Sequence, residues 1–415
     1  MVWNRTNGVW HDDLDGAEKV FYDMSQAFQP VGKEHGSVYT VCKIRMLEDQ
    51  RPQHPLEVRL RDAWISLRIE FPSLSVVVSD AQRKEYMSAN PQRLQHWASE
   101  TFWVDDSGNS AIQVVSSLHL RKFPCLIFLP RTSELVFHSS HWRIDALGAC
   151  MLLDRLFEKL SRDTDTISVN EDDNMSPNLS PSLEDAFGSP AAPTPQMEAV
   201  AKCVQRRNFQ TSYPTAGLPV AMGARASPPA RSSPQALALT REATEALLAA
   251  CKRHAISVTA AVHAACAQAV FDRWDSFTTR AGQLTKAYRG GDWDVSEYMA
   301  ALRPIYRVHG ETLRALATPH TRAPATNITV SSLGVIDKYL TRKHGAGVLV
   351  EQFHLGSAIM NRQMTLYIWT FDGQLTLSLD SNEAYYPPEI VRGILGSICA
   401  CLEKELNLNT VLMRA

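Results

Sequence analysis

Two side chains four residues apart, His141 and Asp145, offer the clearest chemistry in the sequence. A histidine titrates near neutrality, so it can take a proton from a hydroxyl or an amine as a general base. A carboxylate four residues on can orient the imidazole or the loop around it. The pair stands where Leu135-Val136-Phe137, a buried-strand pattern, gives way to an apolar-periodic helix from Ala146 to Leu160. Loops at strand ends, held by rigid scaffolding, are where catalytic groups concentrate. By spacing alone, however, His-x-x-x-Asp is a common chance pattern, and one satisfied polar pair at a helix start is the plainer reading.

Other candidates carry less. His138 shares a strand face with Ser140 and reads as a structural histidine, Trp142 as a packing residue, and His263 as a hydrogen-bonded side chain in an Ala-rich helix. Gly290-Gly291 has no preceding strand and no following Lys-Ser or Lys-Thr, so it is no phosphate cradle. The eight cysteines are scattered without Cys-x-x-Cys spacing and read as reduced, mostly buried thiols. No zinc or other metal site is expected, because no Cys or His cluster has ligand spacing.

The elements that must position the pair are of both kinds. In the N-terminal part, residues 37–44 read as a strand, 56–69 as a helix closed by Pro72, and 92–98 as a short helix. Residues 111–116, 124–129 and 134–140 read as three strands, the last two joined by a turn at 130–133. Ten of the 22 prolines then fall within Ser161–Pro234, with Ser, Asn and the acidic group Glu171, Asp172 and Asp173. That composition predicts an exposed crossover linker interrupted by one short helix near 195–207. Beyond it, a strand at 236–239 precedes a helix capped by Thr240 and a second capped by Ser257 or Thr259. A helical stretch at 295–316 should be kinked or divided by Pro304. Strands follow at 327–333, 348–354, 364–370 and 374–379, with Asp372-Gly373 as a hairpin turn, and a last helix starts at Pro387-Pro388. The fold class is α+β with mostly antiparallel or mixed sheets. The expected division is 1–160, a linker over 161–234, and 235–415.

Composition bounds the partners. A net charge of -2 leaves no basic field for nucleic acid or an anionic membrane surface. No apolar run approaches the roughly 18 residues of a membrane span, and the first residues lack the apolar stretch of a signal peptide. Cytoplasm is the expected compartment and a monomer the expected state.

The residues around the pair add a resemblance. The run Val136-Phe137-His138-Ser139-Ser140-His141-Trp142-Arg143-Ile144-Asp145-Ala146-Leu147-Gly148 resembles the His-x-x-x-Asp-Gly motif of the CoA-dependent acyltransferase superfamily. That superfamily includes chloramphenicol acetyltransferase, the plant BAHD acyltransferases and the condensation domains of nonribosomal peptide synthetases. Leu60-Arg61-Asp62-Ala63-Trp64 with Phe71-Pro72-Ser73-Leu74, the stretch 239–270, Asn327 to Asp337 and Leu375 to Pro388 are similar to further parts of it, in the right order. The fungal trichothecene O-acetyltransferases look most alike.

The resemblance implies two chloramphenicol acetyltransferase-like subdomains with mixed sheets facing across a central tunnel. It implies no bound cofactor, acyl-CoA as co-substrate, and a small-molecule acceptor. His141 would deprotonate the acceptor hydroxyl, which then attacks the thioester, with no acyl-enzyme. Asp145 would be structural, paired with an arginine for which Arg280 is the candidate. Ser332, in the Ser331-Ser332 strand, could donate to the oxyanion, although Ser-Ser in a strand also reads as a polar face.

There are departures from the pattern. Ser140 stands where condensation domains have a first His, Ala146 replaces the Gly, nothing matches the BAHD Asp-Phe-Gly-Trp-Gly motif, and a segment after Phe277-Thr278-Thr279-Arg280 is shortened. The expected activity is transfer of an acyl group, acetyl first, to a hydroxyl of a secondary metabolite. The alternatives are ester or amide condensation from a carrier-bound chain, which would need a carrier-protein partner, and a pocket that guides cyclisation or rearrangement of a polyketide or terpenoid without transfer.

Overall fold

In a computed structural model of the chain, the described residues are 3–47, 54–162, 178–209, 217–218, 220, 227–271, 276–290, 294–316, 326–345 and 347–408. The chain divides into two compact units, and neither is one continuous stretch. The first comprises Met1–Arg207, Met299–Pro319 and Lys338–Ser357, and the second comprises the rest.

The first unit is built on a six-stranded sheet. Its order is Lys343–His344, Val348–Ser357, Val38–Met46, Glu134–Ser139, Cys125–Leu129 and Phe102–Val104, antiparallel except for the last pair. Val38–Met46 lies at the centre and is buried from Val38 to Cys42 and again at Ile44 because both faces are covered. On one face Tyr39, Val41, Cys125, Ile127 and Val136 pack with Ala111 and Val114. On the other, the Phe137 ring meets Trp64 of helix Leu56–Glu70 edge-on at 6.2 Å. Trp64 stacks on Trp97 at 5.1 Å and donates its indole N–H to Thr101 at 3.0 Å. Helix Ala146–Ser161 packs beside Leu56–Glu70.

Three expectations are corrected here. Residues 111–116 form no strand but the helix Ala111–Ser117. Val114 and Val115 favour a strand by type, yet Ser110 and Gln113 make a reciprocal capping box, and Ala111 and Val114 are buried three apart on one helix face. Strand Val348–Ser357 does not stay with the C-terminal stretch but pairs along the whole of Val38–Met46, from Val348↔Met46 to Ser357↔Val38.

The boundary near residue 160 also fails. Residues 178–207 belong to the first unit, with helix Leu183–Ala186 and nearly all of helix Pro195–Phe209. Glu184 is buried there, accepts the Gly16 N–H at 2.9 Å and pairs with Arg303 at 2.6 Å. The Leu183 N–H donates to Asp15 at 2.8 Å. A composition that suggests a linker thus still docks, because a buried glutamate within it finds partners elsewhere in the unit. The acidic group Glu171–Asp173 lies outside the described residues.

A small antiparallel sheet of Asn4–Thr6, Val9–Asp13, Arg83–Met87 and Val77–Val78, with helix Gly16–Gln26, completes the first unit's N-terminal side. The helical stretch near 295–316 is divided at Ala301 into Val295–Ala300 and Leu302–Leu316. Pro304 sits in the first turn of the latter, where a missing N–H leaves no acceptor unpaired.

The second unit holds a four-stranded mixed sheet, ordered Ile328–Val335, Met364–Phe371, Gln374–Asn382 and Ser232–Ala238. The first pair is parallel and the others antiparallel. Phe371 pairs with Gln374 across Asp372 (φ 50°) and Gly373 (φ 72°), the two positive angles of a tight hairpin turn. Thr240 and Ser257 cap helices Arg241–Arg253 and Val258–Val270. The latter buries Ala260, Ala261, Ala264 and Ala265, and these small side chains let it pack against Phe277–Tyr288 and Pro388–Glu405. No helix of the described residues is long and apolar enough to cross a membrane.

Candidate active site

Strand Glu134–Ser139 carries the chain out of the sheet, and the Arg143 N–H closes a turn on the Ser140 carbonyl at 3.1 Å. Two neighbours of His141 fix that turn. Trp142 is buried in an apolar cluster with Val76 and Tyr86, and Tyr22 meets its ring edge-on at 6.1 Å. The Arg143 guanidinium lies 4.1 Å over the Trp142 ring and donates to the backbone carbonyls of Val76 and of Lys122. An imidazole next to two such anchors has little freedom to leave its place.

His141 itself is half-buried. The Phe21 ring of helix Gly16–Gln26 lies parallel to it, with 4.1 Å between centroids and 1° between planes. Its Nδ1 is enclosed and has no hydrogen-bond partner among the described residues. Burial holds the imidazole below the usual histidine range, while its own backbone carbonyl and the Asp145 carboxylate oppose that shift. The neutral form is therefore favoured at neutral pH, the form able to accept a proton.

Asp145 caps the helix that follows. Its side chain accepts the Gly148 N–H at 2.7 Å, satisfying one of the free donors of the first turn. The arginine pair implied by resemblance is not found: Asp145 is exposed and has no ion pair among the described residues. Arg280, its candidate partner, lies on helix Phe277–Tyr288 of the second unit rather than on a strand. Ala146 begins the helix and needs no positive φ, which explains how it replaces a glycine.

His138 is buried between Tyr39 and Cys125 in the sheet register, and burial drives it down to about 4. It is neutral and structural. His263 is hydrogen-bonded to the Tyr288 hydroxyl at 2.8 Å. Ser332 lies on Ile328–Val335 just before an irregularity at Gly334, and its hydroxyl is 2.8 Å from that of Thr259. Both line a cavity of about 140 Å³ within the second unit.

A larger cavity of about 540 Å³ opens in the first unit along the motif. Ser139, Arg143, Ile144 and Gly148 form one wall, and Phe71 and Met151 are among its apolar residues. Sequence reasoning missed Phe21 as a partner of His141. The signal was available: Asp15-Gly16-Ala17-Glu18 is a capping box, and the structure uses it in full. No group of three or more metal-ligating side chains occurs among the described residues.

Comparison with known proteins decides the family. The chain is 36% identical to the O-acetyltransferase pigM of Monascus ruber, over 98% of this chain and 88% of that one. It is 30% identical to the azaphilone biosynthesis cluster protein M of Aspergillus terreus, over 97% and 98% of the two chains. The chain belongs to the fungal O-acetyltransferases. It is an acyltransferase of secondary metabolism.

Among solved structures this acyltransferase shares its fold with the trichothecene 15-O-acetyltransferase of Fusarium sporotrichioides. The TM-score is 0.78 at 15% identity, over 97% of this chain and 98% of that one. It also resembles the cyclization-docking bidomain of a nonribosomal peptide synthetase from Sorangium cellulosum, with a TM-score of 0.62 at 12% identity, over 99% and 88%. No family model matches the chain. The Monascus alignment runs over 455 positions against 415 residues here, so some tens of the relative's residues have no counterpart in this chain.

Proposed function

We propose that this acyltransferase moves an acetyl group from acetyl-CoA to a hydroxyl of an azaphilone-type metabolite, with His141 as general base. The observation that carries the reading is the half-buried, neutral His141, stacked on the Phe21 ring and followed directly by the anchored Trp142 and Arg143. With Nδ1 enclosed, Nε2 is the nitrogen left to take the acceptor's proton. The freed oxygen attacks the thioester carbonyl, the C–S bond of the tetrahedral intermediate breaks, and the imidazolium returns its proton to the thiolate. No acyl-enzyme forms. Ser332 is proposed as an oxyanion donor, and Ser332→Ala should then cost about 100-fold in kcat.

Thiol release from acetyl-CoA in the presence of a hydroxylated azaphilone tests the reading. His141→Ala should lower kcat by about 100- to 10,000-fold with the melting temperature little changed. Near-normal turnover in that variant would sink the general-base reading. Turnover only with a carrier-bound acyl chain would transfer the assignment to a condensation reaction.

A further inference from the structure

Two adjoining cavities lie within the first unit, near the sheet edge at Phe102–Val104. The larger, of about 760 Å³, is walled by Trp103 and residues 119–123. The smaller, of about 260 Å³, is walled by Arg68 and Trp97 among others, and Glu100, Lys122 and Phe123 border both. The whole chain has two more acidic than basic side chains, yet this groove has the opposite balance. Arg68, Arg93, Arg121 and Lys122 stand against Glu85 and Glu100. Each of the two acids has a histidine at 3.7 Å, His11 for Glu85 and His96 for Glu100. None of the four cations has a carboxylate partner among the described residues.

Three of these cations rest on aromatic faces. Arg121 lies 4.1 Å over the Trp103 ring, Arg68 5.1 Å over Tyr86, and Lys122 5.3 Å over Phe123. A guanidinium held flat on a ring keeps its N–H edge for an oxyanion and has less freedom to lose on binding one. Arg68 is a stronger case, because it is only 4% exposed and its Nε and Nη1 are enclosed with no partner among the described residues. The indole Nε1 of Trp97, on the same wall, is likewise enclosed and unpaired. Buried charges are as a rule paired, and one that is not makes the space beside it positive, since a low dielectric screens it poorly.

A single carboxylate would cancel half of a surplus of two charges. A phosphate monoester carries about 1.5–2 negative charges at neutral pH, and its oxygens accept the arginine fork in pairs. Val9, Val77, Met87 and Phe123 leave an apolar wall for the rest of such a molecule. We propose that this groove binds a small phosphate monoester, held by Arg121 and Lys122 and drawn in by the buried Arg68. His141 lines neither cavity, so the site does not depend on the acyl-transfer reading. Its phosphate has two sources, the 3′-phosphate of CoA or a separate phosphorylated metabolite.

Calorimetric titration of the full chain with phenyl phosphate tests the proposal. Binding should saturate at one site, weaken as salt is added, and exceed that of benzoate by about tenfold. Replacing Arg121→Ala and Lys122→Ala together should weaken it by about 100-fold or more. Both residues are exposed, so the melting temperature should not change. Glu100→Gln, which removes an opposing charge, should tighten binding. Displacement of phenyl phosphate by CoA but not by 3′-dephospho-CoA would place CoA's own phosphate in the groove. No displacement by either would leave it to a separate metabolite. Equal displacement by both would overturn the monoester as the ligand class. Absence of saturation at millimolar phenyl phosphate, or unchanged affinity in the double variant, would overturn the site itself.

Discussion

At the scale of single residues, the two motif side chains have separable jobs. A base acts in the transition state, so kcat/KM at saturating donor should rise with pH through a His141 ionisation below the ordinary 6.5. A rate flat across that range, with chemistry limiting, would contradict the role. Asp145 works on the helix instead. Losing an exposed cap of this kind costs about 1 kcal/mol, far less than breaking a buried ion pair. Asp145→Ala should therefore lower the melting temperature by a few degrees, and Asp145→Asn by less, since an amide oxygen caps almost as well. A loss equal to that of an unpaired buried charge would show that an arginine partner exists after all.

At the scale of elements, Gly148 connects cap and helix. A methyl there would meet Ile144 Cγ1 at 2.9 Å and the capping oxygen of Asp145 at 3.1 Å. Glycine to alanine inside a helix usually stabilises by about 1 kcal/mol. Gly148→Ala should lower the melting temperature instead, because it displaces the carboxylate that ends the free-donor problem. A stabilised variant would mean that the turn gives way without cost. Elements of this sort were largely legible in the sequence. The motif strand and helix, the Thr240 cap, the division of the 295–316 helix and the Asp372-Gly373 turn are all local, set by residues within a few positions of one another. What escaped depends on distant partners. Residues 111–117 carry strand-formers that a capping box overrules, and 178–209 look like linker until Glu184 meets Arg303. The surroundings of His141 followed the same rule: the strand-to-helix turn that carries it was legible from the motif, whereas Phe21 reaches the imidazole from a segment more than a hundred residues away.

For the whole molecule, the buried histidines set a response to acid. His35, His138 and His354 of the first unit are each held down to about 4 by burial. A depressed histidine contributes stability that is present above its unfolded value of 6.5 and is lost as pH falls towards the folded one. The melting temperature should drop between about 6.5 and about 4, more steeply than in a variant with His138 replaced by Gln. A curve that stays level across this window would indicate that these rings protonate without cost. Sheet order supplies a second test at this scale. A chain ending before residue 338 lacks Val348–Ser357 and leaves strand Val38–Met46 with an unpaired apolar edge, so it should aggregate on expression. A soluble, cooperatively melting fragment would show that the remaining strands suffice.

That same pairing has a consequence in time. A ribosome adding about 5–20 residues per second delivers the Val348–Ser357 partner of Val38–Met46 some 15–60 seconds after the strand it must join. Throughout that interval the nascent sheet offers one open side to whatever else the cell contains. The yield of active enzyme should then depend on how well chaperones shield that side, and slowing translation should lengthen the exposure rather than relieve it.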